Sequence, residues 1–268
     1  MRVHSLEGNR QHLDGGSMFG HVPRELWKQW LSPDEKNRIP LACRSLFIET
    51  ERGIKILFDV GIGAFFEPKL RERYGVDEED HVLLKSLANI GISHEEIDLI
   101  VLSHLHFDHA GGLLPVYGQG VDLLFPYAEI WLSKQHWEWA HQPHIREKAS
   151  FIPGLRDKLA ASGRVVLIDL ERPEKHPEID CDLIFHRSDG HTVGLMLSEI
   201  RLEEEILFFC SDLIPGQPWM RVPVTMGYDR FPELLVDEKT LMLKKLQQKQ
   251  ATLFFTHDPY TDRLKLTE

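Results

Sequence analysis

Cysteine is scarce, basic charge is outnumbered and no long hydrophobic run occurs, and each shortage excludes something. Cys43, Cys181 and Cys210 are odd in number and far apart. They form neither a disulfide framework nor a C-x-x-C zinc pattern, so they read as buried, inert thiols in a reducing compartment. The chain sets 31 Lys and Arg against 42 Asp and Glu, for a formal net charge of −11. Nucleic acids and anionic membranes both select basic surfaces, so neither is an expected partner. The longest apolar stretches, such as "ILFDVGIGAFF", are too short and too interrupted to cross a bilayer. The first residues lack the apolar core of a secretory signal, and a cytoplasmic location is expected. No repeat, low-complexity tract or dividing linker appears in the 268 residues. Residues 1–268 are therefore read as a single domain.

What is present is a series of short β-branched or apolar runs. They fall at 44–50, 54–60, 97–103, 128–133, 164–169, 182–187, 195–200, 205–211 and 252–257. Each ends near Gly, Asp or His, as strands do. The first two read as a hairpin turning at Glu51–Gly53. Helical patterns lie at 23–31, 78–91 and 232–250; the last opens on Pro232 and gathers lysines at its end. Paired strands first, then strands mixed with helices, predict two packed sheets covered by helices.

The stretch "SHLHFDHAGG" crowds His104, His106, Asp108 and His109 into six positions at the end of an apolar run. Side chains on an extended strand repeat every two residues, so His104 and His106 can grip one ion together. Asp108 and His109 are adjacent, and a tight turn at Gly111 and Gly112 is expected to swing both toward a second ion. Imidazole suits zinc, and mixed imidazole and carboxylate sets suit zinc, manganese or iron. Three more candidates follow: His191 in "SDGHTVG", Asp212 in "FFCSDLIPG" and His257 in "LFFTHDP". Each stands where an apolar strand meets a loop, which is how rigid strands deliver donors to one rim.

The H-x-H-x-D-H motif and its downstream partners resemble the metallo-β-lactamase superfamily, from "ILFDVGIG" through "THDP". The resemblance implies an α+β fold, a four-layer αββα sandwich of two mixed β-sheets flanked by helices. It implies that His104, His106 and His191 hold a first metal, that Asp108, His109 and His257 hold a second, and that Asp212 bridges them. Asp59 in "FDVG" matches a family aspartate behind the ligand loop. Asp212 stands where true β-lactamases carry cysteine, so antibiotic hydrolysis is not expected, and Cys210 is read as core. His106 stands where the flavin-linked di-iron branch has Glu, which favours hydrolysis.

The chemistry so implied is a metal-bridging hydroxide that cleaves a small, rather apolar ester, lactone or phosphotriester, with two divalent ions, zinc first and manganese or iron as alternatives. Asp108 and Asp212 partly neutralise the ions, and Asp108 can steer the proton. A small-molecule substrate is expected; a homodimer is left open. The long loop after Asp212 reads as an apolar substrate wall carrying Trp219, Met220, Met226, Tyr228 and Phe231, with Tyr228 either a proton donor and oxyanion partner or a packing residue. Lactonase-like relatives place a tyrosine three residues after the bridging aspartate. Here that position is Pro215, so a lactonase assignment does not carry over directly.

Lid-forming segments are expected near 12–35, 134–163 and 213–233. Phe19 and His21 are read as either pocket or lid-packing residues. His136, His141 and His144 are read as a half-exposed lid helix in preference to a third metal site, because Pro143 breaks the helical spacing. Two other readings compete: a mononuclear iron sulfur-dioxygenase type, and a non-catalytic metal-binding member. Seven intact donor positions speak against the latter.

Overall fold

The structure is a computed structural model that describes residues 1–172, 179 and 181–267. Its strands are β1 (Arg2–Leu6), β2 (Gln11–Asp14), β3 (Arg38–Leu41), β4 (Ser45–Glu49), β5 (Lys55–Phe58), β6 (Leu99–Val101) and β7 (Glu129–Ser133). They continue as β8 (Val165–Ile168), β9 (Asp182–Ser188), β10 (Leu195–Arg201), β11 (Ile206–Phe209), β12 (Thr252–Phe254) and β13 (Arg263–Lys265). The helices are α1 (Gly15–Phe19), α2 (Arg24–Trp27), α3 (Pro68–Tyr74), α4 (Val82–Asn89), α5 (Phe107–Ala110), α6 (Lys134–Trp139), α7 (Leu155–Ser162) and α8 (Pro232–Gln248). Among the described residues no helix is long and apolar enough to cross a membrane.

Alternation along the strands builds the layers. In β4, Leu46 and Ile48 face the second sheet while Phe47 faces helices; in β10, Met196 and Ile200 face inward while Leu195 and Leu197 face outward. The inter-sheet core joins Phe58 and Val101 to Phe209 and Phe254. Outside the first sheet pack Leu83 and Leu87 of α4 and Leu155 and Leu159 of α7. Outside the second pack Leu235, Met242 and Leu246 of α8. Strands hydrophobic on both faces must be covered on both, which yields the expected four-layer αββα sandwich.

The first sheet runs β1-β4-β5-β6-β7-β8 and the second β13-β12-β11-β10-β9; a two-stranded β2-β3 ribbon stands apart. Both large sheets are mixed: β4–β5 is antiparallel and β5–β6 parallel, β10–β11 antiparallel and β11–β12 parallel. The hairpin turns as expected, with Glu49 opposite Lys55 and Gly53 at φ 83°.

All nine expected strands form, seven with trimmed ends and β9 and β10 each one residue longer than expected. The expected 23–31 helix shortens to α2, and single turns carry the chain on to Leu31. Trp27 and Leu31 there join Phe19 and Trp219 in a separate apolar cluster, so local packing rather than helical continuation sets the path. The 78–91 helix begins only at Val82, whose N–H donates to Asn9 Oδ1.

Candidate metal centre

The chain leaves β6 into a loop held by its backbone N–H groups. Leu102 N–H donates to Trp131 O, Ser103 N–H to Asp59 Oδ1 and Leu105 N–H to His136 Nε2. Asp108 and His109 are presented by α5, a single helical turn. The expected tight glycine turn is therefore corrected. Gly111 has φ −64°; at Gly112 a Cβ would lie 1.9 Å from Val60 O. These glycines permit backbone contact with the 60–63 loop rather than an unusual bend. Across the cavity, His191 follows β9, Asp212 follows β11 and His257 follows β12. All seven expected donors meet at one rim of the sandwich.

Three groups of donor atoms lie within 4.8 Å of one another: His104, His106 and His191; His104, His109 and Asp212; and Asp108, His109 and His257. Asp212 stands between the sets, with Oδ2 3.2 Å from His191 Nε2 and Oδ1 3.1 Å from His109 Nε2 and 3.2 Å from His257 Nε2.

The outer ring nitrogens decide what the inner ones can do. His106 Nε2 faces Glu147 at 2.9 Å, His191 Nδ1 faces Asp229 at 2.8 Å and His109 Nδ1 faces Asp59 at 2.8 Å. His257 Nδ1 faces the carbonyl of Ala42 at 2.7 Å. Carboxylates and carbonyls only accept, so each of these nitrogens donates. His104 Nδ1 faces Ser103 Oγ, whose proton goes to Asp59 and which also accepts from Ser211 Oγ; His104 must therefore donate too. Five inner nitrogens are left with lone pairs turned toward one another. His106 Nδ1 lies 3.1 Å from His191 Nε2, His109 Nε2 lies 3.0 Å from His257 Nε2, and buried His104 Nε2 has no hydrogen-bond partner. Facing lone pairs repel unless a cation sits among them, and imidazoles held from behind by carboxylates are the usual setting of metal-bound histidine. The donor set fits divalent metal.

The field between these donors favours positive charge, carried by a metal ion or, without one, by protons on His109 and His257. Burial alone would push His109 and His257 down, yet Asp212 and neighbouring groups hold both well above the usual imidazole range. Burial would likewise raise Asp212, but His109, His257 and His191 hold it well below the usual carboxylate range. His104, which lacks a direct carboxylate partner, is pushed well down by burial and neighbouring imidazoles. Two residues beside the site have left-handed backbone, Asp59 at φ 52° and Ser211 at φ 43°. Such conformations cost on the order of 1–3 kcal/mol each and persist where surrounding bonds fix them.

Above the donors lies a cavity walled by Leu13, Met18, Phe107, Met226 and Tyr228. Each of the three expected lid segments contributes to its lining: Leu13 and Met18, then Ala149 and Ser150, then Met226 and Tyr228. Tyr228 stands 38% exposed at the mouth of this cavity, and partial desolvation raises its phenol above the usual value. The rest of the expected wall is corrected. Trp219 is 1% exposed and stacks on Phe19 at 4.7 Å, its indole N–H held by Met18 O. Met220 packs on the outer core of the second sheet and Phe231 is exposed. Phe19 is fully buried lid packing, and His21 lines a separate outer depression. His136 braces the ligand loop, while His141 and His144 are exposed and join no group of metal donors among the described residues. Cys43 and Cys210 are free and buried, as expected, and Cys181 is buried.

Sequence reasoning anticipated Asp59 behind the ligands but missed Glu147 and Asp229. Glu147 also accepts from Trp139 Nε1 at 2.8 Å and from Thr192 Oγ1. Burial opposes its ionisation, but His106 first, then Thr192 and Trp139, bring it down to about 2.

Comparison with known proteins places the sequence in a family. The sequence model of the metallo-beta-lactamase superfamily matches residues 38–257. The chain belongs to this superfamily. Among its relatives is an N-acyl homoserine lactonase of a Bacillus species, 35% identical over 247 residues and covering 87% of each chain. Among solved structures, a Staphylococcus aureus protein described as a "probable metal-dependent hydrolase" superposes with TM-score 0.89 at 27% identity, over 99% of this chain and 92% of the other. The dizinc quorum-quenching lactonase AidC shares the superfamily fold, with TM-score 0.74 at 24% identity over 98% of this chain and 89% of its own.

Proposed function

We propose that the protein is a metal-dependent hydrolase that opens neutral lactones, with N-acyl homoserine lactones as the substrate class and zinc as the metal. The observation that carries this reading is the convergence of five imidazole lone pairs around Asp212 beneath an apolar cavity. No lysine or arginine is among the described residues lining that cavity, which favours an uncharged ester or lactone over an anionic phosphomonoester. The 35% identical Bacillus relative supports the lactone in particular.

In this reading His104, His106 and His191 would hold one ion and Asp108, His109 and His257 the other, with Asp212 available to both. Two such ions supply Lewis acidity and a water acidified toward neutral pH. The residues do the rest. Leu13, Met18 and Met226 hold the apolar part of the substrate and exclude water. Tyr228, a phenol that carries its proton at neutral pH, donates to the carbonyl or leaving oxygen. Asp108, oriented by Gln11 Nε2 at 2.8 Å, takes and passes on the proton released in ring opening. Pro215 occupies the position at which lactonase-like relatives carry tyrosine; its carbonyl accepts the backbone N–H of His257, and Tyr228 reaches the cavity from the same loop. The second group of donors supports two ions over the single iron of the competing dioxygenase reading.

The test is proton release on ring opening, measured with full-length protein stripped of metal and reloaded with zinc. N-acyl homoserine lactones are set beside aryl esters and neutral phosphotriesters. Turnover of lactones that vanishes on stripping is expected. A zinc-loaded protein inert toward lactones would sink the proposal.

A further inference from the structure

Residues 141–149 form an exposed stretch in which one side chain alone is fully buried, and it is charged. Ile145 is 86% exposed, whereas the Glu147 side chain is 1% exposed. That inverts the normal preference, under which an isoleucine would anchor such a segment and a glutamate would face water. A buried carboxylate is retained only where its partners satisfy it.

Its partners are specific. Oε1 accepts from His106 Nε2 and Thr192 Oγ1, and Oε2 accepts from Trp139 Nε1. The buried Nε of Arg230, which has no hydrogen-bond partner, lies 3.7 Å from Oε2. Thr192 follows the donor His191 in sequence, and Phe151 pairs with His106 in an isolated β-bridge. One carboxylate therefore joins α6, the 147–151 segment, the ligand loop after β6 and the turn between β9 and β10.

We infer that Glu147 is a positioning residue: it fixes the His106 ring with Nε2–H outward and Nδ1 free toward the first metal, and so ties that metal to the segment roofing the cavity. The inference rests on the ligand assignment proposed above. Within it, Glu147 touches neither metal nor substrate and acts only through His106 and Thr192. Glutamine at this position has the right shape but sets an amide N–H against either the Trp139 indole or the His106 and Thr192 donors, so one side of the network breaks.

Full-length wild type, Glu147→Gln, Glu147→Ala and His106→Ala are compared by zinc competition against a chromogenic chelator and by the absorption spectrum of the cobalt-substituted protein. Melting of the stripped forms is followed alongside. Wild type is expected to hold two equivalents. In both Glu147 variants one equivalent weakens about 10–100-fold, the range for lost partners behind a ligand, while the other is unchanged. The cobalt spectrum shifts, and His106→Ala weakens the same equivalent further. Should Glu147→Gln keep both affinities and the wild-type cobalt spectrum, the inference is overturned. The same holds if Glu147→Ala only lowers the melting temperature of the stripped protein. Failure of wild type to hold two equivalents would instead overturn the ligand assignment itself.

Discussion

Asp59 and His109 stand 50 positions apart in sequence and 2.8 Å apart in space, Oδ2 to Nδ1. The same carboxylate takes the backbone N–H and the hydroxyl of Ser103, each at 2.7 Å. It thus fixes both the strand end that carries His104 and the ring of His109. The left-handed backbone at Asp59 is held in place by these bonds.

Asp59→Asn preserves the shape but turns one acceptor into a donor facing a donor. Metal affinity should fall about 10–100-fold, the range seen when a partner behind a ligand is lost. Chelator competition on the zinc-loaded protein measures it. Affinity equal to wild type would show that this carboxylate does not tune the donors.

Tyr228→Phe removes one hydroxyl from the cavity wall. If that hydroxyl gives its proton to the reacting oxygen, kcat should drop about 100-fold, the lower end for a lost general acid, with KM near wild type. Steady-state kinetics on a lactone separate the two constants. An unchanged kcat would return Tyr228 to a packing role.

Lys239 supplies a pH test remote from the donors. It is fully buried in α8, and Nζ donates to Val224 O at 2.6 Å and Trp219 O at 3.0 Å. Burial lowers it to about 8. The unfolded chain keeps this proton to about pH 10.4, so between pH 8 and 10.4 the unfolded state binds more protons and stability rises with pH, by about 3 kcal/mol through this group. The charged form is penalised below pH 8, and the neutral amine still has protons for both carbonyls above it. Urea denaturation of wild type and Lys239→Met across this range checks the sign: wild type should gain on the variant as pH rises, and parallel curves would refute it.

Much of the centre was legible because strands impose a short period and end abruptly. "IDLIVLSHLHFDH" shows both the buried run and the donors that close it. In β4 and β10 buried residues fill both faces, so the sequence shows that both faces are covered but not which one meets the other sheet. Other parts were hidden for physical reasons. "RVHSL" of β1 is only partly buried and carries no clear apolar alternation. Glu147 and Asp229 sit in irregular segments, and only tertiary packing reveals that they reach histidines 41 and 38 positions away. Composition marked the 213–233 loop as aromatic but not which way each ring turns. Phe19, from the far end of the chain, captures Trp219 and leaves the cavity to Met226 and Tyr228.

His104, His106, Asp108 and His109 come from the first sheet, whereas His191, Asp212 and His257 come from the second. Ions seated among them would rivet the two halves of the sandwich along one seam. Grip on the cation and cohesion of the interior then become one property: trimming Phe58 or Phe209, deep between the sheets, would loosen the metal without touching a ligand, and a chelator would ease the halves apart without touching the core.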